Sequence, residues 1–531
     1  MKQEPVQYLF DRMAQSMPEQ VAISCGNTRI TYRELQHRTE KLAHLLLSGG
    51  AKKGSIVAIL LDDKVDVITS IIAVLKAGAV FVPFDPLLPD LRLESMVGQV
   101  TPDLFVSEAN LMQRLNGFAH GKVLSLEKYK RLDQLAVDGL LASPSPARSE
   151  PDDFCYVYFT SGSTGRPKSI AGRLKGIDHF IRWQIETLRI GKDDRVSQLL
   201  PLSFDGSLRD IFVPLCSGGT ICVPHNEIVT DAKELVSWLD RESISLIHCV
   251  PTLFRAILNE ELNADHFPAL RYVLLAGEAL LPSDVGRWRE VFGNRVKLIN
   301  LYGTSETTMA KFIYEVQPGD EKRRSVPVGK PMPGARVLIV DEEGRACPPG
   351  VIGEIYIRTP YRSHGYYKQP ELTAEVFIQN PFSNDPNDIV YKTGDLGRML
   401  DDGNIELLGR KDQQVKIRGV RVELEELNSL VRGFPGVKDV AVVDRKETSG
   451  GNFLCAYVVG DETLKLDSLR SYLHERLPSS MVPSAFVMME KLPRTVSGKI
   501  DRRALPHLKD RTGRGEYVPP RSATEQIVAG I

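Results

Sequence analysis

Tyr158-Phe-Thr-Ser-Gly-Ser-Thr-Gly-Arg-Pro-Lys168 closes the apolar run that begins at Phe154. An apolar, β-branched and aromatic run that breaks into glycine and hydroxyl residues reads as a strand entering a loop. The same arrangement recurs along the chain. Ser55–Leu61, Arg195–Leu200, Ile244–Cys249, Tyr272–Leu275 and Val296–Asn300 are strand candidates that each run into small or polar residues. Between Ser55–Leu61 and a strand at Ala79–Val82, stopped by Pro83, Asp66–Lys76 has helical spacing. Strands alternating with helices predict parallel βαβ units and an α/β fold. Open α/β sheets bind ligands beyond the carboxyl ends of their strands, where these loops fall.

The loop has the chemistry of a phosphate cradle. Glycines let backbone N–H groups approach phosphate oxygens, hydroxyls add donors, and Lys168 adds charge. Its spacing narrowly misses the nucleotide P-loop, because Pro167 stands where that motif has glycine and removes one N–H. The plain alternative is a solvated Ser/Gly loop.

Three further motifs lie downstream. Asn300-Leu-Tyr-Gly-Thr-Ser-Glu306 puts an aromatic, a tight glycine, hydroxyls and a carboxylate at a strand end. Tyr302 could stack on a base and Glu306 could hold a divalent cation beside phosphates, or the Glu could simply cap a helix. In Tyr391-Lys-Thr-Gly-Asp395 the carboxylate could accept both hydroxyls of a ribose, against an ordinary turn at Thr-Gly-Asp. Pro493–Leu505 carries Lys499 after a glycine, which by itself reads as a solvent-exposed lysine on a loop.

The whole chain has 531 residues, a prior of about three domains at ~150 residues each. Hydrophobic residues make up 42% and charged residues 25%, which excludes a disordered chain. A net charge of −1 argues against a nucleic-acid-coating or membrane-surface protein. Seven scattered cysteines without CxxC spacing exclude a disulfide scaffold or structural zinc and favour a reducing, cytoplasmic setting. The longest apolar region, Val65–Phe84, contains Asp66 and Lys76, so no membrane span is expected. From about Val328 the texture becomes short strands punctuated by Gly and Pro, a small β subdomain. A boundary is placed at Lys411–Asp412, followed by a compact mixed unit to Leu508 and a polar linker at 509–531 that ends in the first turns of a helix.

Taken together, these motifs make the sequence similar to the adenylate-forming enzymes, and within them to the adenylation domains of non-ribosomal peptide synthetases. The resemblance also rests on Thr31-Tyr-Arg-Glu-Leu35, Leu75–Pro83, Phe204-Asp-Gly-Ser207, Gly353-Glu-Ile-Tyr356, Gly409–Glu423 and Ser497–Arg502. It implies an α/β N-terminal domain over 1–411 with a small mobile α+β C-terminal domain over 412–508. It implies an activity in two halves. An amino acid and MgATP give an aminoacyl-AMP, and the acyl group then passes to the phosphopantetheine thiol of a peptidyl carrier protein. Thr160, Ser161, Gly162, Ser163, Thr164 and Lys168 become the phosphate loop. Asn300, Tyr302, Gly303 and Thr304 become nucleotide contacts, with Tyr302 on adenine. Glu306 would bind Mg²⁺, Asp395 the ribose, and Arg410 would lie beside the nucleotide. Asp412 becomes the hinge, Lys499 the adenylation lysine, and Gly419 lies near the pantetheine path. A carboxylate nucleophile is already ionised at neutral pH, so no catalytic triad is needed.

By the same resemblance Asp205 anchors the substrate ammonium, against a surface pair with Arg209 at i,i+4 spacing. Gly206, Arg209, His248, Leu274, Ala276, Leu301, Met309 and Ala310 line the side-chain pocket. A cation among small and apolar residues points to an acidic or polar side chain, unless Arg209 folds back onto Asp205 or Asp210 and leaves room for Gly or Ala. Ser169 for the usual glycine, the segment Arg358–Ser363 and Leu508 for a linker proline depart from the pattern without removing a catalytic residue. The competing reading is a stand-alone acyl- or aryl-acid CoA ligase, whose members generally lack an Asp at 205, and beyond it a silent binding module.

Overall fold

The structure is a computed structural model that describes residues 4–130, 148–162, 166–446, 452–495 and 500–506. Two large sheets dominate the first 330 residues. The first runs Gly365–Tyr366, Lys168–Arg173, Phe154–Thr160, Val80–Pro83, Ile56–Leu60, Leu104–Ser107, Lys122–Ser125, and is parallel from Phe154–Thr160 outward. The second has a parallel centre of Lys297–Gly303, Tyr272–Leu275, Leu246–Cys249, Arg195–Ser197, Thr220–Val223 and Val21–Cys25, with antiparallel strands at both edges. The expected βαβ units are therefore present.

Between the sheets lies one core that takes side chains from both, including Val57, Phe81 and Tyr156 of one and Ile23, Ile221 and Ile299 of the other. The helix Lys64–Lys76 belongs to this core and is buried along all of Val67–Leu75. A helix apolar all round needs cover on every side, and the space between two sheets supplies it. Each fully buried Ile or Leu there contributes about 1.5–3 kcal/mol. Asp63 fixes its start by accepting the Asp66 N–H at 2.9 Å.

The strand Val80–Pro83 includes the proline expected to stop it, because Pro83 is the last residue and needs no further ladder donor. Lys297–Gly303 runs three residues beyond the expected end, so Asn300 to Gly303 are strand residues. Ile389–Met399 is one continuous strand in a five-stranded sheet with Arg336–Val340 and Gly353–Arg358, which rules out an ordinary turn at Thr393-Gly394-Asp395. The remaining chain folds around its own cores. It comprises a hairpin Gln414–Ile417/Val420–Glu423, a helix Leu424–Arg432 and a three-stranded sheet of Val437–Lys446, Asn452–Gly460 and Ala485–Met488.

Candidate active site

The strand Phe154–Thr160 returns as Lys168–Arg173, and Thr160 pairs with Lys168 across the base of the Ser/Gly loop. A Cβ on Gly162 would lie 2.0 Å from the Arg166 carbonyl oxygen, so the tight return requires glycine. Thr160, Ser161, Gly162 and Lys168 are described; Ser163 and Thr164 lie outside the described residues.

The second loop comes from the neighbouring sheet. After Gly303 the chain makes a short 3₁₀ turn at Ser305–Thr307, and Thr308 and Met309 take left-handed φ of 65° and 56°. These positions fold the chain back into Ala310–Glu315 and press Glu306 inward. Glu306 is fully buried and does not cap a helix. It accepts Arg421 NH1 at 2.8 and 3.0 Å and the Tyr366 hydroxyl at 2.9 Å. Burial pushes its carboxyl up, but Arg421, hydrogen bonds that include Tyr366, and Lys168 together hold it below the ordinary carboxylate value.

Asp395 meets this loop from the small sheet. The Tyr302 hydroxyl donates to Asp395 Oδ2 at 2.5 Å, and Arg410 NH1 donates to Oδ1 at 2.5 Å. Arg410 also donates to both oxygens of Asp412, at 2.7 and 2.6 Å. Burial raises Asp412, but the Arg410 guanidinium outweighs it and holds the carboxyl below its usual value. The expected hinge residue is thus tied to the expected ribose residue through one guanidinium.

The hairpin and helix after residue 412 pack directly onto the phosphate loop. Ser161 Oγ donates to the Arg421 carbonyl at 2.7 Å, Gly162 N–H to Glu426 Oε2 at 3.3 Å, and Lys168 Nζ to Glu423 Oε1 at 3.4 Å. Gly419 N–H donates to Glu278 Oε1 at 2.6 Å. Arg421, Glu423, Glu426, Tyr366 and Glu278 were not singled out from the sequence. The alternating Val-Arg-Val-Glu of the hairpin signals a half-buried strand, but not that it lands on a loop about 260 residues earlier in the chain. Lys499 lies outside the described residues.

Asp205 precedes the helix Ser207–Ser217 and turns away from Arg209. It accepts the Ser305 hydroxyl at 2.9 Å and the Met309 N–H at 3.2 Å. The i,i+4 pair with Arg209 is not formed, since Arg209 Nε points to Asp210 at 3.9 Å. Burial raises the Asp205 carboxyl above its ordinary value, against the Ser305 and Met309 hydrogen bonds. His248 and Leu274 face each other on adjacent parallel strands, and Leu301, Met309 and Ala310 come from the second loop and its flanks. Gly206 and Ala276 complete this set, with Gly206 at the start of the helix and Ala276 just beyond Tyr272–Leu275.

The described residues contain no helix long and apolar enough to cross a membrane. The AMP-binding enzyme family model matches residues 10–367, and the AMP-binding enzyme C-terminal domain matches residues 426–499. Tyrocidine synthase 2 of Brevibacillus parabrevis is 36% identical over 98% of this chain, and gramicidin S synthase 2 of Brevibacillus brevis 36% over 99%. The chain spans only 14% and 12% of those two proteins. Among solved structures, a holo NRPS protein containing adenylation and PCP domains, bound to a vinylsulfonamide inhibitor, superposes with a TM-score of 0.82 at 27% identity. That match covers 94% of this chain and 84% of the other. An artificially fused adenylation–PCP di-domain NRPS from Klebsiella oxytoca gives 0.78 at 26% identity, covering 92% and 94%. With both family models in sequence order on a fold shared with such domains, the chain belongs to the AMP-binding enzyme family, as an adenylation domain of the non-ribosomal peptide synthetase kind with its C-terminal domain.

Proposed function

We propose that the chain activates an amino acid with MgATP and passes it to the phosphopantetheine thiol of a peptidyl carrier protein. In the first half, a substrate carboxylate oxygen attacks the α-phosphorus of ATP. The bond from that phosphorus to the β-bridging oxygen breaks and pyrophosphate leaves. In the second, the thiol sulfur bonds to the acyl carbon, AMP leaves with the bonding pair of its acyl oxygen, and the thiol proton passes to solvent. The phosphate loop with Lys168 holds the leaving pyrophosphate, Asp395 and Arg410 the nucleotide, and Lys499 the substrate and α-phosphate oxygens. Glu306 fits a hard divalent cation, since it is a buried carboxylate that already requires a positive partner, here Arg421. Mg²⁺ held there would offset the charge that gathers on the pyrophosphate.

The observation that carries an amino acid, rather than a plain carboxylic acid, is Asp205. It is a partly buried carboxylate whose partners are one hydroxyl and one backbone N–H, while Arg209 and Lys311 are turned elsewhere. A buried charge without a cation is costly, and a substrate ammonium would supply one. A pyrophosphate-exchange screen over amino acids and their des-amino acids tests the reading. Exchange with amino acids supports it. Exchange only with des-amino acids, with loading of CoA in place of a carrier, would favour the CoA ligase, and no exchange at all a silent module.

Residues 1–411 act as the nucleotide and substrate body and 412–508 as the moving part about Asp412. The docked hairpin and the helix after it support the transfer half, because Glu423 and Glu426 occupy the Lys168 and Gly162 donors that would hold pyrophosphate. The free cysteines, five of them buried, support a reducing cytoplasm.

A further inference from the structure

The helix Asp90–Val100 buries a charge and exposes an apolar neighbour. Arg92 is 8% exposed and Leu91 is 48% exposed, the reverse of an ordinary amphipathic surface helix. A buried guanidinium needs an anion. Here the anion comes from 334 residues further along the chain, where Glu426 Oε1 accepts Arg92 NH1 at 2.5 Å. Glu426 is fully buried on the helix Leu424–Arg432, and the arginine of that helix, Arg432, stands by Glu425 instead. The other oxygen of the same carboxylate, Oε2, accepts the Gly162 N–H of the phosphate loop at 3.3 Å. One carboxylate therefore lies between a loop N–H and a guanidinium. Three residues before it, Glu423 Oε1 accepts Lys168 Nζ of the same loop at 3.4 Å.

Arg92 thus belongs to one set of donors with Gly162 and Lys168, and the segment Glu423–Glu426 covers all three with two carboxylates. The oxygens of Glu426 stand where two oxygens of a phosphate would meet the same donors, since a guanidinium receives phosphate in the geometry in which it receives a carboxylate. Glu426 travels with the C-terminal unit, so movement of that unit leaves Arg92 facing the loop without its anion. Resting on the proposed function above, we propose that Arg92 is a shared cation. It binds the β,γ end of ATP and the leaving pyrophosphate while the C-terminal unit is away, and it binds Glu426 once pyrophosphate has gone. In the first state it offsets charge that gathers on the leaving group. In the second it fixes the helix Leu424–Arg432, and with it Glu423 over Lys168. Departure of pyrophosphate is then the event that frees Arg92 to capture the unit for transfer.

The test is equilibrium binding of MgATP, magnesium pyrophosphate and AMP to the full chain. Arg92→Met keeps the apolar stem and removes the charge. Alone it also abolishes the competing pair with Glu426, so the decisive background is Glu426→Ala, where no side chain competes. There Arg92→Met should raise Kd for MgATP and magnesium pyrophosphate at least ~10-fold, the scale of one charge-assisted hydrogen bond. Kd for AMP, which lacks those phosphates, should stay unchanged. An unchanged or tighter Kd for MgATP would show that Arg92 only latches the C-terminal unit, and overturns the proposal. An equal loss for AMP makes Arg92 a structural residue and overturns it as well. Should Arg92→Met fail to fold, Arg92→Lys, which keeps the charge and loses the fork, serves in the same background and is read the same way, with a several-fold loss expected for MgATP and none for AMP. A wild-type chain that binds neither MgATP nor AMP overturns the reading beneath the proposal.

Discussion

Lys311 sits fully buried at the second position of Ala310–Glu315, with its ammonium on the carbonyls of Thr308 at 2.6 Å and Ala310 at 3.2 Å. Burial pushes it down to about 7, with the Asp205 carboxylate pulling the other way. The folded state therefore binds this proton less readily than the unfolded chain. Below about pH 7 the buried charge destabilises the fold in full, and the penalty vanishes as pH rises toward the ordinary lysine value near ~10.4. Lys311→Met should accordingly raise thermal stability at pH 7 by an amount on the order of a few kcal/mol, and the gain should shrink toward pH 10. A gain independent of pH would show that packing, not charge, sets it. At Asp205 the expectation concerns catalysis. Asp205→Ala leaves the substrate ammonium desolvated and unpaired, about 3–5 kcal/mol, so kcat/KM for the amino acid should fall at least ~100-fold, and for its des-amino analogue far less. Equal losses would make Asp205 a structural residue.

Among elements, the hairpin Gln414–Ile417/Val420–Glu423 has the sharpest constraint. Its two-residue turn is Arg418-Gly419, with φ of 49° and 78°, the left-handed pair that tight hairpins demand. Gly419 also meets the first domain, where a Cβ would lie 2.4 Å from Val250 Cγ1. Gly419→Ala should therefore slow carrier loading at least ~10-fold while amino-acid-dependent pyrophosphate exchange is retained, with only about 1–2 kcal/mol of backbone strain. Val250→Ala in the same chain should restore part of the loading. If loading by Gly419→Ala matches the wild type, the hairpin does not serve transfer in this position.

At the scale of the molecule, the C-terminal domain contacts the phosphate machinery with charges that match those of the substrate. Glu423 and Glu426 face Lys168 and the Gly162 N–H, donors suited to phosphate oxygens, and Arg421 faces Glu306, the expected Mg²⁺ carboxylate. On the proposed roles of Lys168, Gly162 and Glu306, the docked arrangement and bound magnesium pyrophosphate would need the same groups. Magnesium pyrophosphate should therefore loosen the interface, seen as faster proteolysis near residue 412 or a larger radius of gyration in scattering. Glu423→Gln with Glu426→Gln should shift the chain the same way and tighten MgATP binding several-fold. Unchanged MgATP affinity in the double variant would show that these contacts do not compete. Lys499→Ala should abolish adenylate formation and spare transfer from preformed adenylate; equal loss of both would remove the case for two arrangements.

Local chemistry is written in local sequence, and so the strand–loop alternation and the glycine return at Gly162 were legible from residue type and spacing alone. The boundaries were less so. Lys297–Gly303 runs on because its last residues find a partner in Ala310–Glu315, which only the left-handed turn at Thr308 and Met309 brings back. Asp395 reads as a turn until Gly353–Arg358 and Ile405–Arg410 pair on either side of it. Which charge meets which was left open. Arg209 four residues after Asp205 allows a pair with Asp205 or with Asp210, and only the structure turns Asp205 to Ser305 and Met309 and leaves Arg209 beside Asp210. Burial makes every such choice expensive, and burial is set by chain segments 100 or more residues away. The sequence by itself determined the family of chemistry, because phosphate, ribose and carboxylate recognition need particular atoms. The tertiary structure decided the partners of Asp205, Arg209 and Glu306, because only packing says which buried charges share one low-dielectric space.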